Sequence, residues 1–458
     1  MPRILTLIIF LLVSSLPAPA SAGTRTMLKL LAVLYDNRTI DEQTFEMLVA
    51  AAREEEGGLP PAGDQGGQPP DAAATGSNEK PEAPSVESAD AVVEYDGSGL
   101  RVSSADGKYQ SAFNGYLQVD AARYNETSVP MGDGAEIRRA RLTWRGKIAD
   151  SWLFRTTLDF SDGASIKSTY IDYMFTPSSS IRFGNFKVPF SVDWLTSGRY
   201  TTFMERAMVT ALAPGRNFGI GYNTEGDHHS LKLGIFSDAA DDDSDAGQGV
   251  AGRVTYAPWA EKTSVLHLGL AASYRNLQPG NTERFRSRPE SHVTDVRLVD
   301  TGELTDGERI SRVGLEAAAL KGPFSVQSEY IRTDLERGER PELNFEGWYA
   351  YASWVLTGES REYDVGNGRF RRIRPAHPLG QGGSGAWELA LRYSNLDLND
   401  EDVVGGEQDN ITLALNWYPN KDVRFSLNYI NIVGVDRPGS ETDGERGNIL
   451  QIRGQVQF

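Results

Sequence analysis

Apolar and polar residues alternate strictly in the last strand-length stretch of the chain. From Leu450 to Phe458 the even positions carry apolar residues or glycine, and the odd positions carry glutamine or arginine. A period of two is typical of a β-strand with one apolar and one polar face. The same alternation recurs about sixteen times upstream, which supplies strands to cover the open edge of a terminal strand. The pattern predicts an all-β fold, a 16-stranded antiparallel transmembrane β-barrel whose polar face lines the lumen.

Connections between the predicted strands alternate in length. Tight turns, such as 149–150 and 321–322, alternate with longer polar connections. Outer-membrane barrels show this asymmetry, with short periplasmic turns and longer outer loops. The connection 357–386 is long but falls on the short-turn side. The predicted number of strands is therefore sixteen, to within two. The alternative is a soluble β-sandwich or propeller, which would bury its apolar face and use shorter strands.

The chain before the barrel divides into three predicted segments. Residues 1–22 combine a positive start, an apolar run and small residues, which indicates a cleaved signal peptide, with an N-terminal anchor as the alternative. Residues 23–56 carry an apolar stripe at helical spacing, which predicts a short N-terminal helical or coiled-coil extension. Residues 57–106 are rich in proline, glycine and acids and predict a flexible linker, and residues 107–458 form the barrel.

The composition excludes several kinds of chemistry. The chain has no cysteine, so disulfides and thiolate metal sites are excluded. Its net charge of -17 argues against nucleic acid as a partner. The histidines lack metal-ligand spacing, so no metal or cofactor is expected. The glycine-rich segment 380–385 lacks the lysine of a phosphate-binding loop, and the acidic run 238–245 lacks the ligand spacing of a calcium loop.

One predicted strand concentrates positive charge in this acidic chain. In the stretch 136–147, cations occupy most positions on one face and apolar residues occupy the other. Cations facing lipid would each cost about 2–4 kcal/mol at the bilayer midplane, so they are expected to face the lumen. They are Arg139, Arg141, Arg145 and Lys147. Rows of such cations select anions in pores, so we predict an anion-binding ladder. The alternative is a network with neighbours such as Asp120, Arg155 and Asp159 that only supports the wall.

Several blocks of the barrel sequence resemble the phosphate-selective porin O and P family of bacterial outer membranes. The resemblance covers about 113–458, and its blocks are 136–142, 183–190, 199–206, 216–221, 286–290, 387–394 and 408–420. It implies a homotrimer and a constriction loop folded into the lumen, with the N-terminal extension in the periplasm. The loop would be 188–215, with the cations Lys187, Arg199 and Arg206.

These patterns leave three functional hypotheses. The first is an anion-selective porin in outer-membrane lipid and lipopolysaccharide, for passive uptake of phosphate or similar small anions. The second is a general diffusion porin with weak anion preference. The third is a barrel enzyme acting on lipid or peptide, which needs a Ser–His or Asp–His pair at a loop end. The sequence places no such pair, so a non-enzymatic porin is predicted.

Overall fold

The computed structural model describes Glu46, Val49 and residues 91–95, 99–125, 127–237, 247–278 and 280–458. The contacts between residues divide the chain into two units, Met1–Ser85 and Val86–Phe458. The predicted signal peptide lies outside the described residues. Of the predicted helical extension, only Glu46 and Val49 are described, and both are helical. Within the described residues, no helix is long and apolar enough to cross a membrane.

Strands make up almost all of the regular structure in the second unit. The strands are β1 Val92–Tyr95, β2 Leu100–Ser103, β3 Gln110–Asn125, β4 Gly134–Ile148, β5 Trp152–Asp159, β6 Ser165–Thr176, β7 Ser179–Lys187, β8 Arg216–Glu225, β9 His229–Ser237, β10 Gln248–Glu261, β11 Ser264–Asn276, β12 Arg286–Ser287, β13 Val299–Asp300, β14 Gly307–Lys321, β15 Phe324–Arg337, β16 Arg340–Val355, β17 Tyr363–Asp364, β18 Arg369–Phe370, β19 Ala386–Asp400, β20 Val403–Tyr418, β21 Val423–Asp436 and β22 Gly447–Gln457. A short helix, α1, spans Val192–Leu195, and 3-10 turns span Met208–Ala211 and Val365–Asn367.

Sixteen of these strands close into an antiparallel barrel, as predicted. Each barrel strand pairs with the next along the chain, and β22 pairs with β3 to close the ring. The seam ends on two backbone bonds, because Gly115 donates to Phe458 at 3.0 Å and Phe458 donates back at 3.1 Å. Strands β1 and β2 lie outside the ring, and β2 pairs with the start of β3. They fall within the stretch 57–106 that was predicted to be linker.

Side chains alternate across the barrel wall in the sense opposite to that of a soluble protein. Apolar residues such as Ile235 and Leu391 face outwards, with 66% and 53% of their surface exposed. Polar residues such as Gln118 and Thr333 are fully buried on the inner face. A soluble sandwich would bury its apolar face instead, so this arrangement rules that alternative out.

Aromatic residues surround the outer face at the short-turn end of the barrel. Cross-strand pairs include Trp152 with Tyr173 and Phe324 with Trp354, with ring centroids 4.8 and 5.6 Å apart. Such a girdle marks a membrane–water interface. Because short turns are typical of the periplasmic side, this interface is the periplasmic end of the barrel.

Three long connections have residues that contact the inner face of the wall. They are 188–215 and 277–306 from the loop end and 356–385 from the turn end. The last is the connection that broke the predicted alternation of lengths, and it leaves the strand number at sixteen.

The inner face of β14–β22 is apolar near the loop end, and the inserted loops pack against it. The loops contribute Phe190, Met208, Leu212 and Leu298, and the wall contributes Ile310, Leu335, Leu343, Phe345, Leu396, Leu398, Ile430, Ile432 and Ile449. By contrast, the lumen-facing side chains of Arg141, Lys147 and Arg182 keep 18%, 26% and 24% of their surface exposed. Side chains on the inner face of β4–β7 therefore remain accessible to water.

Candidate functional site: a cationic path through the barrel

The cationic strand β4 contains a bulge at its most charged point. The β3–β4 register passes from Gln118↔Arg139 to Val119↔Ile137, which leaves Arg138 as an extra residue. A bulge interrupts alternation, so two consecutive side chains can point to one side. Both Arg138 and Arg139 reach the carboxylate of Glu205 inside the barrel, at 2.8 and 3.3 Å. Strict alternation placed Arg138 towards lipid, so sequence reasoning missed it.

Glu205, in the inserted loop 188–215, binds three wall arginines. Arg453 of β22 reaches it at 2.8 Å and also pairs with Asp120 at 2.6 Å. Burial alone would raise the pKa of Glu205, but Arg138, Arg139 and Arg453 hold it well below its usual range. Arg139 therefore ties the loop to the wall, which is a supporting role rather than an open anion site.

The remaining predicted ladder residues also face the lumen, and two of them have acidic partners. Arg141 donates to Asp159 at 2.7 Å, and Lys147 donates to Asp150 at 3.0 Å near the turn end. Arg145 lies directly opposite Arg155 in the β4–β5 register, which places two cations side by side.

A denser group of cations surrounds Trp194 in α1. Lys187, Arg206 and Arg216 lie over its indole ring at 4.5, 5.4 and 5.4 Å from the centroid. Arg369, from the turn-end connection, donates to the backbone oxygen of Leu195 at 2.8 Å. We call Lys187, Arg206, Arg216 and Arg369 the Trp194 cluster. In the part of the chain that the structure describes, none of the four lies within ion-pair distance of a carboxylate.

Chain geometry explains why these cations meet. Lys187 ends β7 and Arg216 begins β8, so they are opposite each other in register where the loop departs. Arg206 reaches back within the loop and donates to the backbone oxygens of Asp193 and Thr196 at 2.7 and 2.6 Å. Sequence reasoning predicted Lys187 and Arg206 but missed Arg216, Arg369 and Trp194. The signals available were the arginine directly after the loop and the single tryptophan within it.

Wall arginines hold the inserted loop by its backbone. Buried carbonyl groups that leave sheet pairing need other donors. Arg424 donates to the oxygens of Thr201 and Thr202 at 2.6 and 2.7 Å, and Arg312 donates to that of Leu212 at 2.8 Å. On another strand, Glu329 accepts from the backbone N–H of Asp193 at 2.7 Å. Arginines that face the lumen thus help to hold the inserted loop in place.

The turn-end connection 356–385 brings further arginines to the lumen. Arg253 of β10 donates to the backbone oxygens of Asn367 and Gly368 at 3.2 and 2.7 Å. The connection contains Arg361, Arg369, Arg371, Arg372 and Arg374. Sequence reasoning noted the length of this connection but not its arginine run.

Arg199 lies apart from the Trp194 cluster, on the turn-end side of the loop. Its guanidinium sits 5.2 and 5.3 Å from the ring centroids of Tyr116 and Tyr200, and it donates to Asn114 at 3.1 Å. It shares a cavity of about 20 Å³ with arginines of the turn-end connection. That space holds about one water molecule, so an anion can enter only if side chains move.

The sequence matches a family and several known proteins. The family model for phosphate-selective porin O and P matches residues 112–458. An uncharacterized protein of Caulobacter vibrioides is 36% identical over 349 residues, covering 72% of this chain and 69% of that protein. Porin O of Pseudomonas aeruginosa is 27% identical over 416 residues, covering 81% of this chain and 93% of that protein.

Solved barrels resemble the fold at low sequence identity. An anion-selective porin from Comamonas acidovorans matches with a TM-score of 0.50 at 14% identity, covering 76% of this chain and 100% of that one. A loop-deletion mutant of OmpT from Vibrio cholerae also gives 0.50, at 11% identity, covering 77% and 100%. At this identity the likeness supports the fold alone.

Proposed function

Because the chain belongs to the phosphate-selective porin O and P family, we propose that this outer-membrane porin carries phosphate and similar small anions passively through its lumen. The family and the barrel point to a channel rather than an enzyme. The single observation that carries the proposal is the Trp194 cluster. Four cations that form no ion pair among the described residues meet beside the part-exposed β4–β7 wall, so an anion there supplies the missing negative charge.

The proposal is tested by removing two cluster cations. Arg216 donates to the hydroxyl of Ser168 in the wall at 3.2 Å, whereas Lys187 donates to the backbone oxygen of Trp194 in the loop, so Arg216→Gln alone separates loss of charge from a change in loop position. The double variant Lys187→Gln and Arg216→Gln keeps polar side chains at both positions. Each lost charge weakens the attraction of an anion by about 1 kcal/mol at ~4 Å in water, or about fivefold in occupancy. We expect the reversal potential in a salt gradient to move towards zero in planar bilayers. Lys321→Gln, at an exposed turn, is the matched control and should change nothing.

Phosphate itself is tested by competition. In chloride, added phosphate should reduce the wild-type current, because it occupies the same cations, and the double variant should lose that effect. The second candidate, a general diffusion porin with weak anion preference, is favoured by the acidic partners of Arg139, Arg141 and Lys147. Two results together would favour this candidate: phosphate leaves the wild-type current unchanged, and a neutral sugar permeates the channel.

We further propose a homotrimer embedded in outer-membrane lipid and lipopolysaccharide. The supporting observation is a polar pair on the outward face of β5 and β6, where the hydroxyls of Thr156 and Thr169 lie 2.9 Å apart. A second copy of the chain would shield these hydroxyls better than lipid would. Native mass measurement of the detergent-solubilised protein should give three chains, and a single-chain mass would contradict the proposal. We also propose that the extension 23–56 lies in the periplasm, which the pairing of β2 with the turn end of β3 supports.

A further inference from the structure

The hairpin β1–β2 continues the barrel wall beyond the seam. The seam partner of β3 ends at Phe458, opposite Gly115, and β2 takes over the same edge from Phe113 to Gln110. Gly99 makes this handover possible, since its φ is 121° and a Cβ there would lie 2.1 Å from the backbone oxygen of Phe113. The hairpin is therefore fixed at the periplasmic rim and is not a free tail.

The two faces of the hairpin differ as the two faces of the barrel do. Register places Val93 opposite Val102 and Tyr95 opposite Leu100 on one face. These four side chains are 63%, 37%, 61% and 44% exposed, respectively. The other face carries Glu94, Arg101 and Ser103 together with Val92, which lies opposite Ser103, and Glu94 pairs with Arg101 at 3.8 Å.

The apolar face is continuous with the lipid-facing surface. Leu100 lies opposite Phe113, which lies opposite Trp144 and stacks on it with ring centroids 6.1 Å apart. Phe113 and Trp144 belong to the outward face of the barrel, near the aromatic girdle at its short-turn end. Lys421, in a neighbouring turn, lies 5.8 Å from the ring centroid of Tyr95. A tyrosine with an adjacent lysine is typical of side chains at the headgroup level.

We propose that the apolar face formed by Val93, Tyr95, Leu100 and Val102 inserts into the periplasmic leaflet of the outer membrane. Its partner is the boundary between phospholipid headgroups and acyl chains. The hairpin thereby anchors the chain just before β3 at the membrane surface beside the barrel seam. The anchor should not affect ion conduction, because the hairpin lies outside the closed ring of strands.

Site-directed labelling tests the proposal on the full chain, which has no cysteine of its own. Val102→Cys and Ser103→Cys place one fluorescent label on each face of the same strand. In phosphatidylethanolamine–phosphatidylglycerol vesicles, lipid spin-labelled near the headgroup should quench the label at 102 several-fold more than that at 103. Aqueous iodide should show the opposite order. Equal iodide quenching at both positions would place the hairpin in water and overturn the proposal.

A second copy of the chain is the competing occupant, and it gives a different result. If the label at 102 is shielded from both quenchers and Val102→Cys forms disulfides between chains, the face is a protomer contact and lipid insertion is wrong.

A charge variant provides the second measurement. Val93→Asp with Val102→Asp should make trypsin cleavage at Arg101 at least several-fold faster in vesicles, while conductance and heat-modifiable migration stay at wild-type values. Ser103→Asp adds a charge to the polar face and should leave cleavage slow. Unchanged cleavage in the double variant would overturn the proposal. Anion selectivity serves as the separate readout for the channel, so failure of one claim is distinct from failure of the other.

Discussion

At the scale of single residues, the lumen cations divide into those that hold the inserted loop and those that we propose to meet ions. Arg139, Arg424 and Arg453 bind loop atoms and are nearly inaccessible to water. Arg216 binds the wall hydroxyl of Ser168 and lies over the indole ring of Trp194, and Lys187 lies over the same ring but also donates to the backbone oxygen of Trp194. An alanine at Arg139 would therefore change the loop position together with the charge. Tests of ion selectivity belong at the Trp194 cluster.

The Glu205 anchor yields a prediction on stability and pH. Glu205→Gln leaves three arginines without their shared anion, and breaking a buried pair costs about 3–5 kcal/mol. We expect the midpoint of thermal unfolding to fall and current fluctuations from loop motion to increase. Glu205→Asp keeps the charge and is the matched control.

The pH dependence of the same anchor follows from the depressed pKa of Glu205. A carboxylate whose folded-state pKa lies below its unfolded value stabilises fully above the unfolded value, about 4.3, and loses that effect only as pH falls through the folded value. Wild-type current should therefore remain quiet at pH 4.5. Fluctuations that begin near pH 5 would show that another group controls the loop.

At the scale of elements, alternation predicted all sixteen barrel strands and the lumen side of the ladder. It failed where period two is locally interrupted, because the bulge at Arg138 adds a residue that no pattern marks. It also left 92–103 in the linker, since each strand there has only four residues and gains stability from pairing with β3. The Trp194 cluster joins residues distant in sequence through loop insertion, which a local pattern does not encode.

The turn-end connection yields the prediction at this scale. Leu356 donates its N–H to the oxygen of Trp387 at 2.7 Å, so a short turn can join β16 to β19. Replacing 358–384 with a few glycine and serine residues should leave the barrel heat-modifiable. Single-channel conductance should rise about twofold or more, because the segment no longer fills the lumen. Anion selectivity should fall, because the segment carries five arginines against three carboxylates.

Arginine-to-glutamine changes at Arg369, Arg371 and Arg372 separate charge from volume. They should lower selectivity without the gain in conductance. Unchanged conductance after the deletion would show that the permeation path avoids this segment.

At the scale of the whole molecule, the closed ring lets the backbone cross a membrane, since hydrocarbon offers no hydrogen bonds to an open strand edge. The ring depends on its last element, β22, which pairs with β21 on one side and β3 on the other. The inserted loops depend on the same strand, because Arg453 joins Asp120 to Glu205. The same strand therefore closes the barrel and holds the charged loop in the lumen.

Deleting residues 448–458 tests this dependence. The deletion exposes the edges of β21 and β3, and each unsatisfied backbone group in lipid costs several kcal/mol. We expect no heat-modifiable band in cold SDS gels and no channel activity in bilayers. Deleting Phe458 alone removes only its two bonds to Gly115 and leaves the pairs from Asn448 to Gln457 intact, so this variant should still close, with a lower thermal midpoint. A folded band from the longer deletion would mean that the sheet closes through another pairing, and the role of Arg453 in holding the loop would then have to pass to a different wall residue.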